Sequence, residues 1–201
     1  MSQKSMKKYS KKLEPIANEI YLALRNNNKI NVKDYGWENH VWQSQHFSWA
    51  HLEMFCTEKV SVLHCVVMPH KNSSAPIYGF DVIELSGHLT GMFLDLTPVD
   101  NKIYDVPNVG ELRKIPEWAD FFSPNFLCCK PNESDLLAGS NLLKEYLNML
   151  PSLTEKDYSE AQQKYINGQR KNPQTRKMLA SHIGSEKADE FIEEVLFPNI
   201  K

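Results

Sequence analysis

The spacing of apolar positions along this chain switches twice, from a helical period to a strand period and back. Leu13, Ile16, Ile20 and Leu24 recur every three or four residues in a polar background. That spacing predicts a helix within residues 1–28, ended by the run Asn26 to Asn28. From 29 to 60 the chain is rich in Tyr35, Trp37, Val41, Trp42, Phe47 and Trp49, which predicts short strands. In the last of these His51, Glu53 and Phe55 share one face, and Leu52, Met54 and Cys56 the other. Val60 to Pro69 carries the nearly unbroken apolar run VLHCVVM, expected of a strand covered on both sides. A turn with proline at each end, PHKNSSAP, leads to a strand over Ile77 to Leu85. The short connection predicts that the two are antiparallel neighbours. Ser86-Gly87 introduces a further strand, Leu89 to Leu96. Residues 99–120 are a polar connection, and Phe121 to Cys129 is expected to be one more buried strand.

Helical spacing returns after Pro131. Ser134 is a candidate cap for a helix reaching Leu150, and Thr154 for a second ending near Tyr165. Asn172-Pro173 breaks the pattern. A third helix is expected from about Gln174 to His182 and a fourth from Ser185 to Leu196. Helix, strand block, then helices predicts an α+β layered domain and not a βαβ repeat. One domain is expected over 1–201, with no internal repeat.

Three polar side chains interrupt the strand block: Glu53, His64 and Asp81. An unpaired charge in a sheet interior is costly, so these residues need partners or a purpose. Read singly, His64 fits a satisfied core histidine and Glu53 an exposed edge position. Asp81 is less easily excused, because its charge must be paired or neutralised. Together they suit proton transfer near neutral pH, because carboxyls beside an imidazole perturb one another's protonation. A metal triad ranks lower, since no close ligand pair such as HxH is present. A serine hydrolase ranks lower still, with no GxSxG turn.

Composition narrows the class. Apolar content is 41% and net charge is −2, so bulk charge gives no case for nucleic-acid binding. The basic clusters KKYSKK and QRKNPQTRK read as solvated surface. Cys56, Cys65, Cys128 and Cys129 form no CxxC pair and read as buried reduced thiols. No apolar run approaches about 18 residues and no leader-like apolar segment opens the chain, so a soluble, cytoplasmic protein without membrane contact is expected. Standard nucleotide and zinc-protease motifs are missing.

Several ordered motifs bear a resemblance to a known family. They are ENHVWQSQHFSWAHLE (38–53), LHCVVMP (63–69), PIYGFD (76–81), LDLTP (94–98), RKIPEW (113–118), NPQTRKML (172–179) and the closing VLFPNI. From about residue 35 onward the chain resembles the ferredoxin-dependent bilin reductases, most of all the branch that forms phycocyanobilin. The resemblance implies a three-layer α/β/α sandwich, with a central antiparallel sheet flanked by helices. It implies a monomer that holds biliverdin IXα between the sheet and the C-terminal helices. No bound cofactor or metal is implied; electrons come singly from reduced [2Fe–2S] ferredoxin and protons from side chains.

By the same resemblance, Asp81 is the first proton donor, His64 its partner, and Glu53 the glutamate tied to reduction of the D-ring vinyl group. Arg113 and Thr90 match propionate-binding positions, and Asn172 matches an asparagine bordering the pocket. Two positions depart from the family. Pro173 stands where many relatives place a second aspartate, and Gln174 where a propionate-binding lysine is found. The chain is also short at its N-terminus, as in compact phage-borne members. Phycocyanobilin is the implied product and phycoerythrobilin the alternative. A non-catalytic bilin carrier is the alternative of another class. Lys171, Arg176 and Lys177 are the expected basic contacts for ferredoxin.

Overall fold

Alternation of apolar residues puts two greasy faces on the strand block, and helices cover both. The computed structural model describes residues 10–200; the expected helical start and half of the KKYSKK cluster lie outside them. Eight antiparallel strands form one sheet: β1 (Asn28–Ile30), β2 (Glu38–Gln43), β3 (Phe47–Cys56), β4 (Val60–Pro69), β5 (Ile77–Leu85), β6 (His88–Thr97), β7 (Glu111–Leu112) and β8 (Leu127–Lys130). Their order across the sheet is β1-β2-β3-β4-β5-β6-β8-β7. The first six are therefore a meander. Strands β4 and β5 have the expected ends. Ser86 and Gly87 both take positive φ, 48° and 81°, between paired Leu85 and His88. Two such residues form the tight hairpin turn whose twist suits flanking strands.

One sheet face packs on α1 (Glu14–Leu24) and α2 (Leu137–Asn148). Leu13, Ile16, Ile20 and Leu24 join Trp42, Leu52, Leu63, Phe80 and Leu143 in that core. Each such side chain contributes roughly 1.5–3 kcal/mol by leaving water. The other face packs on α3 (Ser159–Arg170), α4 (Pro173–Ile183) and α5 (Ser185–Phe191). Tyr165, Ile166, Leu179 and Phe191 meet Val41, Val66, Met68 and Ile77 there. The α+β sandwich is as expected. Cys128 and Cys129 point to opposite faces, as adjacent strand residues must.

Four local expectations are corrected. Phe121 to Cys129 is not one strand. Only its last part pairs, as β8, because Pro124 lacks an N–H and Ser123 spends its own on Asp95 at 3.0 Å. Ser134 caps no helix; Asn132 accepts from the Ser134 and Asp135 amides instead, ahead of a 3₁₀ turn into α2. Thr154 starts no helix either. Its N–H and hydroxyl are both held by the Asn72 carbonyl, and α3 begins at Ser159 beside Asp157. The last helix changes to a π turn at Ile192–Leu196.

Helix α2 lies so close to the sheet that a Cβ at Gly139 would sit 2.4 Å from the Phe80 ring. Phe80 is fully buried and the Gly139 carbonyl accepts from the Tyr78 hydroxyl at 2.9 Å, so neither side has room to yield. Gly139→Ala gains about 1 kcal/mol of helix propensity. It loses about 2–3 kcal/mol to overpacking. The expected outcome is a net destabilisation of about 1–2 kcal/mol, read as a lower urea midpoint at unchanged slope.

Candidate active site

Strand register assembles the site. Asn39 pairs with Glu53, Glu53 with His64, His64 with Asp81, Asp81 with Phe93, and Phe93 with Cys128. One row thus crosses six strands on the face covered by α3–α5. Neighbouring strands lie about 4.8 Å apart, so the acid, the imidazole and the second acid are adjacent. His64 Nδ1 and Asp81 Oδ1 are 2.7 Å apart. Asp81 keeps about a third of its side chain exposed, at 32%, whereas Glu53 is 2% exposed.

Burial sets the protonation of this row. Burial pushes His64 down, but the Asp81 carboxylate, its hydrogen bond and the charge of Glu53 outweigh that and leave its pKa raised. Burial pushes Glu53 up to about 7, against the pull of His64 and of the Trp37 indole, with Asp81 adding to the rise. Glu53 is therefore poised to hold or release a proton at neutral pH. His51 lies beside the row, its ring 5.5 Å from that of His64 and its Nε2 3.0 Å from Asn39 Oδ1. Burial, then repulsion from His64 and His40, holds it well below the usual histidine range, so it stays neutral.

Over the row lies a partly open cavity of about 180 Å³. Glu53, His64 and Asp81 form its floor, and Phe93, Phe122, Phe126 and Trp118 one wall. Phe122 and Phe126 stack at 4.1 Å, and Phe126 stacks on Phe93 at 6.1 Å. Gln169, Asn172, Gln174, Thr175 and Met178 border the mouth. Asn172 is held in place by capping α4, its Oδ1 accepting from the Gln174 amide at 3.0 Å. The aromatic wall has its own anchor. Asp95, also on this face, accepts from the Thr97 and Ser123 hydroxyls and the Ser123 amide, fixing the turn that carries Phe122 and Phe126.

Glu53, His64, Asp81 and Asn172 thus meet at one cavity. Arg113 and Thr90 do not line it. Arg113 is exposed beyond β8, with its N–H on the Cys128 carbonyl at 2.8 Å. Thr90 sits at a register shift between β5 and β6, its hydroxyl donating to the Ile83 carbonyl at 3.2 Å. Arg176 is paired with Asp189, whereas Lys171 and Lys177 are exposed. Sequence reading gave no role to His51, Asp95 or Gln169. A usable signal for His51 was its place two residues before Glu53 on the same strand face. Among the described residues no cluster of three or more metal-ligating side chains is found, and no helix is long and apolar enough to cross a membrane.

Comparisons with known proteins point to one family and one fold. The family model described as "Ferredoxin-dependent bilin reductase" matches residues 3–198. A phycocyanobilin:ferredoxin oxidoreductase of Gloeobacter violaceus is 27% identical over 185 residues, 79% of this chain and 72% of the relative. An enzyme of the same name from Prochlorococcus marinus is 27% identical over 195 residues, 84% of this chain and 78% of the relative. Among solved structures, phytochromobilin synthase from tomato in complex with biliverdin superposes with TM-score 0.67 at 17% identity, over 96% of this chain and 84% of that one. A PcyX structure gives TM-score 0.68 at 22% identity, over 94% of this chain and 99% of that one. At these identities the structures speak for the fold.

Proposed function

Because the chain belongs to the ferredoxin-dependent bilin reductases, a family of oxidoreductases, we propose that it reduces biliverdin IXα by four electrons, with phycocyanobilin as product. The observation that carries this reading is the Glu53–His64–Asp81 row in the floor of an aromatic-walled cavity. Reduced [2Fe–2S] ferredoxin supplies electrons one at a time. Each electron added to a bilin in a low-dielectric site makes it one unit more negative, and an uncompensated charge there is costly. A proton delivered beside each electron removes that cost.

Asp81, the partly exposed member of the row, passes the proton it shares with His64 to the tetrapyrrole. His64, held at 2.7 Å, takes the proton deficit and passes it along the row. Glu53, with its pKa near 7, is the second source, and its position fixes which end of the bilin it can reach. The cavity is smaller than the roughly 300–1,000 Å³ usual for sites that enclose a drug-sized ligand. Entry of a tetrapyrrole therefore displaces the mouth residues on α4 outward. Arg113 and Thr90, outside the cavity, serve the propionates only where these chains reach past the sheet edge.

The test is an anaerobic assay of biliverdin with reduced ferredoxin, followed by chromatography of the products. The expected result is loss of the biliverdin band and one phycocyanobilin product. Stoichiometric binding without any ferredoxin-dependent spectral change would leave a bilin carrier. A phycoerythrobilin product would keep the chemistry and change the regiochemistry.

A further inference from the structure

Besides His51 Nδ1 and His64 Nε2, two buried polar atoms on the cavity face lack hydrogen-bond partners at normal geometry among the described residues: Trp37 Nε1 and Glu53 Oε2. They are neighbours. Asn39 pairs with Glu53, so Trp37, two residues earlier on the same face, lies diagonally beside it. The Trp37 ring is fixed by edge contacts to Phe55 at 5.2 Å and Phe191 at 5.0 Å. Phenylalanine would keep an aromatic ring between those two neighbours. The indole N–H is what phenylalanine lacks, and burying a donor without a partner costs about 1–3 kcal/mol.

We propose that Trp37 is a positioning residue for the reduction: its indole N–H engages the Glu53 carboxyl and sets the point at which that group gives up its proton. This rests on the reading of Glu53 as a proton source. A donor beside a carboxylate favours the charged form, which agrees with the downward pull of Trp37 on Glu53. The other groups facing Glu53 are known. His64 and Asp81 stand beyond it in the row, His51 is neutral on its own strand, and Asn39 on β2 is held by His51. From α4, His182 packs on Phe55 at 4.8 Å, and α5 presents Phe191. None of these donates to Glu53 among the described residues. Trp37 is thus placed to tune the acid without being part of the row.

The test reads the carboxyl itself. The infrared C=O band of protonated Glu53 is followed from pH 5 to 9 in the full chain without substrate, and assigned by its loss in Glu53→Gln. The expected midpoint is about 7 in the wild type. In Trp37→Phe it moves up by roughly one pH unit. In turnover, the alkaline limb that depends on protonated Glu53 moves up with it. An unchanged infrared midpoint in Trp37→Phe overturns the proposal. If that variant does not fold, benzothienylalanine at Trp37, the same shape without the N–H, replaces it under the same two criteria. Because the titration needs no substrate, a wild type that fails to reduce biliverdin would defeat the proposed reaction while leaving the link between Trp37 and Glu53 visible.

Discussion

Asp81→Asn is expected to bind biliverdin as the wild type does and to stall its reduction, slowing turnover by about 10²-fold or more. Asparagine keeps the shape of aspartate and can still accept a hydrogen bond from His64. It cannot lend a proton. The change also strips His64 of the charge that opposes burial, so the imidazole falls back toward its neutral form. Two members of the row are then disabled by one substitution, which is why the loss exceeds that of one donor. Absorbance titration measures binding, and single-turnover spectra with reduced ferredoxin measure chemistry. Full turnover by Asp81→Asn would remove Asp81 from its proposed role.

A second large effect lies in the pH dependence of stability. Glu53 has an ordinary value of 4.5 and is pushed to about 7 in the fold by burial. Between those values the native state holds a proton that the unfolded chain has released. Stability therefore falls as pH rises through this window, by about 3 kcal/mol in all. His64 acts in the same direction at higher pH. Its raised value gives stability that is complete below about 6.5 and is lost as pH rises through the folded value. Urea unfolding at pH 5 and pH 8 is expected to show this drop in the wild type. Glu53→Gln, which cannot ionise, is expected to lose most of the Glu53 share. An equal drop in both proteins would mean that Glu53 is already charged at pH 5.

The strand block was the legible part of the sequence. β4 is buried on both sides, β5 fully on one, and turn residues stand between them, so their limits follow from composition alone. The row was only half legible. Glu53, His64 and Asp81 stood out because charge is rare in such strands, but their pairing depends on register, which a period of two leaves open. Residues 121–126 misled because an aromatic run reads as a strand. The clamp that turns it, from Ser123 to Asp95, joins residues 28 positions apart and leaves no local trace. Thr154 failed for the same reason, since its partner Asn72 is 82 residues away. Arg113 and Thr90 came from motif matches, which locate a residue along the chain but not over a cavity.

The meander has a consequence for how the protein acquires its chemistry during folding. Strands β1 to β6 each pair with the next in the chain, so each loop closed is short and its entropic cost small. Chains rich in local contacts of this kind fold fast. Glu53, His64 and Asp81 all lie within them and can align while the last third of the chain is still being synthesised. The covering helices α3 to α5 span residues 159–191 and emerge from the ribosome afterwards. The acidic floor is then briefly solvated, and its carboxyls ionise freely until the helices dock. Activation of Glu53 is thus a late event of folding, achieved when Phe191 and the π turn close over a row already in register.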